Sequence, residues 1–151
     1  MYNDPAAKAA IRGFDDVEEG MSGEFAKTVS DGDIRGFAAA SGDVNPLHLD
    51  DAYAKTTIFG GRIAHGILTA GVISAAFANV FPGPGWVYVD QYLKFKGPVR
   101  VGDTVTATVE ATKRIVEKGF VEFTTVCRVG DKVVLEGTAT LMAPRTPKKA
   151  A

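Results

Sequence analysis

Cysteine and histidine are scarce in this 151-residue chain: one cysteine, Cys127, and two histidines, His48 and His65. A lone cysteine closes no intramolecular disulfide, so a reducing compartment suits the chain and a cytoplasmic location is expected. There is no excess of basic residues. Lys and Arg number 17 against 18 Asp and Glu, a formal net charge of -1, which argues against a nucleic-acid partner. The chain has no Gly-x-Gly-x-x-Gly fingerprint and no P-loop, so no nucleotide redox cofactor is implied. It has no Gly-x-Ser-x-Gly element, which removes the usual setting of a serine hydrolase triad. Charge is missing from one long stretch, since Ile63 to Val89 holds no Asp, Glu, Lys or Arg. Thr69, Ser74, Asn79 and the break at Pro82-Gly83-Pro84-Gly85 interrupt that stretch. Its unbroken part is short and rich in Ala and Gly, so a buried helix fits better than a membrane span. The N-terminus carries Asp4, Lys8 and Arg12 and has no apolar run of signal-peptide length.

With 46% hydrophobic and 23% charged residues, the composition is that of one ordinary globular domain. Residues 1–13 read as a loose leader, 14–144 as a single domain and 145–151 as a flexible tail. Phe25 to Val29 reads as a first strand. Ser30, with Asp33 three residues on, predicts a capped helix over Ile34 to Ala40, and Gly42 ends it. Asp50 to Lys55 reads as a short helix, acidic at its start and basic at its end. Ala64 to Phe81 predicts a central helix, apolar on nearly all sides and therefore wrapped by other structure. Within it Leu68, Val72 and Phe77 recur at helical spacing and read as core. Trp86 to Val99, Thr104 to Val116, Phe120 to Val129 and Lys132 to Met142 each alternate as strands do. One buried helix followed by a meander implies an α+β fold with a sheet curling round the helix.

Both histidines fall in the two segments richest in chemistry, Asp43-Val44-Asn45-Pro46-Leu47-His48 and Ile63-Ala64-His65-Gly66. Asp43 and His48 flank an Asn-Pro turn that can aim a carboxylate and an imidazole at one point. Such a pair can hold a water between an acceptor and a titratable base. Asp and Asn beside Pro are also ordinary turn residues. Asp43, His48 and His65 lack the tight spacing of a zinc site, so no metal is expected. Cys127, in a strand-like run, reads as a packing residue.

The first segment, extended through Leu49-Asp50, resembles the signature of the R-specific enoyl-CoA hydratases of the MaoC-like dehydratase family. The likeness continues through His65-Gly66, Pro82-Gly83-Pro84-Gly85, Gln91…Phe95-Lys96…Pro98-Val99 and Val101-Gly102-Asp103. It covers the chain from about Val17 to Ala143. This resemblance implies a hot-dog fold, a homodimer and reversible hydration of a trans-2-enoyl-CoA to the R-3-hydroxyacyl-CoA. Coenzyme A then enters as part of the substrate and no separate cofactor is needed.

In that chemistry His48 is the expected base and Asp43 its partner acid, with the two roles not separable by sequence. Gly66, which opens the central helix, would offer a free backbone N–H to the thioester oxyanion and leave room for its approach. A preorganised donor of this kind is worth about 3 kcal/mol of barrier. Asn45 is expected to hold the Asp43–His48 loop in shape. Ser74 matches a family serine and reads as a polar group supporting the site from inside the core. His65 is expected to help bind substrate, and Tyr53, Ile58 and Phe59 to close an acyl pocket. Arg62 and Lys96, with Lys94 and Arg100 behind them, are candidates for the coenzyme A phosphates. Three other readings share parts of the pattern: a hot-dog thioesterase, a non-catalytic acyl-thioester binding module, and a dehydratase acting on carrier-protein thioesters.

Overall fold

Strand alternation and helix capping resolve into five strands and four helices in the computed structural model, which describes residues 10–145. The strands are β1 (Ser22–Thr28), β2 (Val87–Phe95), β3 (Thr104–Ile115), β4 (Phe120–Val129) and β5 (Lys132–Met142). The helices are α1 (Asp31–Ser41), α2 (Pro46–Leu49), α3 (Asp51–Lys55) and α4 (Gly66–Asn79). Most of the expected leader and tail, residues 1–9 and 146–151, lies outside the described residues. The described part of the leader is not loose. Arg12 donates to the carbonyls of Val80 and Pro82 at 3.4 and 3.2 Å, and the Trp86 indole donates to the Arg12 carbonyl at 2.9 Å.

The capping box at the start of α1 forms in both directions. Asp33 N donates to Ser30 Oγ at 3.1 Å, and Ser30 N donates to Asp33 Oδ2 at 2.8 Å. Gly42 closes the helix in the left-handed region, with φ 80°. The strands form one antiparallel sheet in the order β1-β3-β4-β5-β2. β1 starts at Ser22, earlier than its apolar pattern suggests, because it pairs with β3 from Ser22–Glu110 to Thr28–Thr104. A β-carbon on Gly23 would fall 2.6 Å from that of Phe81, so this glycine lets β1 approach the chain leaving α4. β2 ends at Phe95, before the expected Val99, because the chain turns out at Gly97-Pro98 and proline offers no ladder donor.

α4 packs on β1, β3 and β4. Val105, Ala107, Val109, Val121, Phe123 and Leu135 are fully buried in the sheet face, and Val72, Ile73, Ala76 and Phe77 answer them from α4. The Phe77 ring meets Phe123 edge-on at 4.9 Å and Tyr88 at 5.5 Å. A curved antiparallel sheet wrapped on one helix is the hot-dog fold.

α4 is not enclosed on all sides, as its uniform hydrophobicity suggested. Ile67, Gly71, Ser74 and Ala78 lie along an open face, with Ile67 57% exposed. Ser74 therefore stands outside the core, in contrast to the buried supporting role expected of it. Residue size marks the buried side only in part: Val72, Ile73 and Phe77 face the sheet and Gly71, Ser74 and Ala78 face out, but Ile67 is outward and Ala76 buried.

Because Phe123 anchors the aromatic cluster and Ser30 only caps an exposed helix end, their losses should differ in scale. Phe123→Ala should cost about 3–5 kcal/mol and Ser30→Ala about 1 kcal/mol in urea unfolding. Equal shifts in midpoint would contradict this account of the core.

Candidate active site

The site begins where α1 stops. After Gly42, Asp43 is held locally: its N–H donates to Ser41 Oγ at 3.1 Å, and its Oδ1 accepts from Asn45 N at 3.2 Å. Asn45 Oδ1 then accepts from Leu47 N at 3.0 Å and caps the one-turn helix α2, with Pro46 at its first position. That turn was legible only as a loop. It swings His48 inward, to 8% exposure.

His48 Nδ1 lies 2.8 Å from the Ile63 carbonyl. A carbonyl only accepts, so Nδ1 carries the proton and Nε2 keeps its lone pair. His65 is locked the opposite way. Its Nε2 lies 3.0 Å from the Asp43 backbone carbonyl and must donate, which leaves Nδ1 bare and without a partner among the described residues. The two imidazoles stack with centroids 3.9 Å apart and planes at 34°, and Phe37 packs 4.7 Å from His65. One ligand-type atom from each of Asp43, His48 and His65 lies within 4.8 Å of the others. Asp43 is exposed, whereas His65 is 1% exposed, too deep for the substrate contact expected of it.

Gly66 opens α4, and no side chain caps that end, so the first-turn N–H groups lack intrahelical acceptors. Its missing side chain also serves packing. A β-carbon there would fall 2.5 Å from Cε1 of the Phe95 ring, which lies against the helix start.

The cations expected to meet phosphate are mostly engaged elsewhere. Arg62 donates from Nε to the His48 carbonyl at 2.7 Å and from Nη2 to Asp31 at 2.5 Å. Arg35 holds the other Asp31 oxygen at 2.7 Å. Arg100 donates to the carbonyls of Phe59 and Arg62 at 2.5 and 3.4 Å. Arg62 is thus a brace between α1 and the His48 turn. No periodic pattern announces that pairing, because its partners are a distant carboxylate and a backbone oxygen. Lys96 pairs with Glu136 at 3.3 Å and lines a cavity of about 320 Å³ with Phe59, Ile63, Ala64, Thr69 and Phe95. Tyr53 and Ile58 do not line it. They are 48% and 96% exposed: α3 turns Ala54 inward and Tyr53 outward, and Ile58 lies in the turn beyond the helix. Cys127 is buried, and burial pushes its thiol up to about 12, so it is no nucleophile at neutral pH.

The sequence matches the family described as MaoC like domain over residues 15–132. It is 56% identical over 131 residues to the (R)-specific enoyl-CoA hydratase of Rhodospirillum rubrum, covering 87% of this chain and 91% of that protein. It is 46% identical over 132 residues to the 3-hydroxybutyryl-CoA dehydratase of Methylorubrum extorquens, covering 87% and 84%. The unliganded R-hydratase of Pseudomonas aeruginosa superposes with a TM-score of 0.82 at 41% identity, covering 89% of this chain and 86% of that one.

The brace has a pH signature. Hydrogen bonds from Arg62 and then Arg35 hold the Asp31 carboxyl below its ordinary 3.8. A carboxyl depressed in the folded state stabilises above its unfolded value, and that contribution is lost as pH falls through the lower folded value. Asp31→Asn should therefore lower the thermal midpoint at neutral pH, and the gap to the parent protein should close below about 3.8. Melting curves taken down the acid range check this, and a gap of constant size would contradict it.

Proposed function

The chain belongs to the MaoC-like domain family, and from that membership we propose that it hydrates trans-2-enoyl-CoA to R-3-hydroxyacyl-CoA and catalyses the reverse dehydration. The observation that carries the reading is the 2.8 Å contact of His48 Nδ1 with the Ile63 carbonyl, in a cluster that also holds Asp43. With Nδ1–H spent on that carbonyl, Nε2 is the ring nitrogen left to act as base.

Hydration needs a base for water, a proton for the α-carbon and a donor for the thioester oxygen. His48 Nε2 takes a proton from water as the water oxygen bonds to the β-carbon. The alkene electrons move toward the thioester carbonyl, whose oxygen gains charge. On this reading the Gly66 N–H and the positive end of α4, which no side chain caps, supply the donors for that oxygen. The Asp43 carboxylate holds the same water. The proton taken by His48 passes to Asp43 and from there to the α-carbon, so both side chains return to their starting states. No redox cofactor takes part, and coenzyme A arrives with the substrate. The thioesterase alternative is less well supported, because an imidazole and a carboxylate around one water match addition across the alkene.

The assembly reading is a homodimer. β2 is an edge strand, and it exposes Val87, Val89, Tyr92 and Phe95 at 51%, 47%, 63% and 52%. An edge this apolar calls for a partner, and β2 against β2 of a second copy would continue the sheet. Among the described residues no helix is long and apolar enough to cross a membrane. A cytoplasmic setting accords with the single, unpaired Cys127.

Asp43→Asn and His48→Gln should each cost about 10²–10⁴-fold in turnover of crotonyl-CoA, followed at the enoyl-thioester absorbance. Losses below about tenfold in both would remove the pair from the mechanism. The product should be the R-3-hydroxyacyl thioester by chiral analysis, and an S product would overturn the assignment. In sedimentation the chain should run as a dimer, and Tyr92→Lys should shift it toward monomer. A parent protein that runs as a monomer at micromolar concentration would refute the edge pairing.

A further inference from the structure

The loop that carries Asp43 is held almost entirely by its own neighbours. The bonds of Asp43 to Ser41 and to Asn45 each span two residues, and the Gly42 N–H returns to Ala38. Such local bonds shape a loop without fixing where it sits on the protein. Among the described residues, one hydrogen bond ties positions 42–45 to a distant part of the chain. It runs from His65 Nε2–H to the Asp43 carbonyl, 3.0 Å across a separation of 22 residues.

His65 is suited to act as a fixed point. Its side chain is 1% exposed, with the His48 ring 3.9 Å away and Phe37 4.7 Å away. The preceding residue is pinned to the segment between β2 and β3 by Ala64 N–H to the Val99 carbonyl at 2.7 Å. The following residue is Gly66, whose N–H heads α4. A single imidazole therefore bonds the carboxylate loop, stacks on the base and adjoins the oxyanion donor.

We infer that His65 is a positioning residue whose Nε2–H tether to the Asp43 carbonyl sets the carboxylate's place relative to His48 and the Gly66 N–H. The inference rests on the hydration reading above and goes beyond it by giving His65 a task that involves no substrate contact. Misplacing a reacting group by about 1 Å can cost on the order of 10²-fold, so loss of the tether falls on the chemical step. Substrate binding is spared because His65 does not reach the surface.

Two near-isosteric variants separate the tether from bulk packing. In His65→Gln the amide nitrogen lies close to the position of imidazole Nε2 and can still donate to Asp43. In His65→Asn the amide nitrogen lies near Nδ1, and the carbonyl is left unpaired. With crotonyl-CoA, His65→Gln should keep kcat within about tenfold of the parent, whereas His65→Asn should lose about 100-fold. KM should stay within about threefold in both, and circular dichroism should show both folded. Equal kcat losses in the two variants, or a loss confined to KM, would overturn the tether. Should neither variant fold, the unsubstituted protein still decides the matter through ¹⁵N-histidine NMR. His65 should be the Nε2–H tautomer and His48 the Nδ1–H tautomer, and a proton on Nδ1 of His65 would overturn the inference. A parent protein without hydratase turnover would sink the proposed function, while the tautomer of His65 would still report on the tether alone.

Discussion

The start of α4 governs the rest of the site. Its buried face, Val72, Ile73, Ala76 and Phe77, is set against the sheet by side chains too large to shift without cost. That packing fixes the helix axis, and the Ala64–Val99 backbone bond fixes the segment leading into it. Three consequences follow from one placement. The Ile63 carbonyl is presented to His48 and chooses its tautomer. His65 is set within reach of the Asp43 carbonyl, and the N–H groups of the first turn are left without a side-chain cap. The geometry of the candidate site is in this sense a by-product of how a hydrophobic helix is seated.

Much of the fold could be read before any coordinates, for identifiable reasons. Ser30, Asp33 and Gly42 mark the two ends of α1 because capping chemistry is local and its residue types are few. β3 and β4 alternate cleanly because one sheet face is buried and the other is wet. Reading failed where an outcome depended on contacts distant in sequence. The helix α2 is a single turn, too short for any period to show. Ser74 and the open face of α4 were hidden by a helix that is apolar nearly all round, with Ile67 on the outward face and Ala76 on the buried one. The bulk of Tyr53 and Ile58 suggests a pocket, yet Tyr53 faces out because Ala54 takes the inward side of α3, and Ile58 falls in the exposed turn after it.

The site residues show the same division. Asp43, His48, His65 and Gly66 were legible as a group because the two short segments hold both histidines of the chain. Their division of labour was not legible, because it depends on which nitrogen meets which carbonyl. Gly66 also acquired a second reason in space. A residue with a side chain there would strike the Phe95 ring, so the helix start, the edge strand and the cavity beside them are packed as one unit. On the dimer reading proposed above, a contact along β2 would reach the start of α4 through the Phe95 ring.

The distribution of charge completes the argument. The guanidinium nearest the catalytic turn, Arg62, is paired with Asp31 and the His48 carbonyl, and among the described residues no ion pair includes Asp43. A carboxylate gripped by a guanidinium holds its negative charge and gives up little as a proton carrier. Burying Arg62 without partners would cost several kcal/mol, and Asp31 together with a backbone oxygen offsets that cost at a distance from the reaction. The cation thus stiffens the turn that carries His48, while Asp43 stays exposed and, among the described residues, outside any ion pair. On the hydration reading, two demands that would conflict on one residue, a rigid scaffold and proton transfer, fall to Asp31 and Asp43 separately.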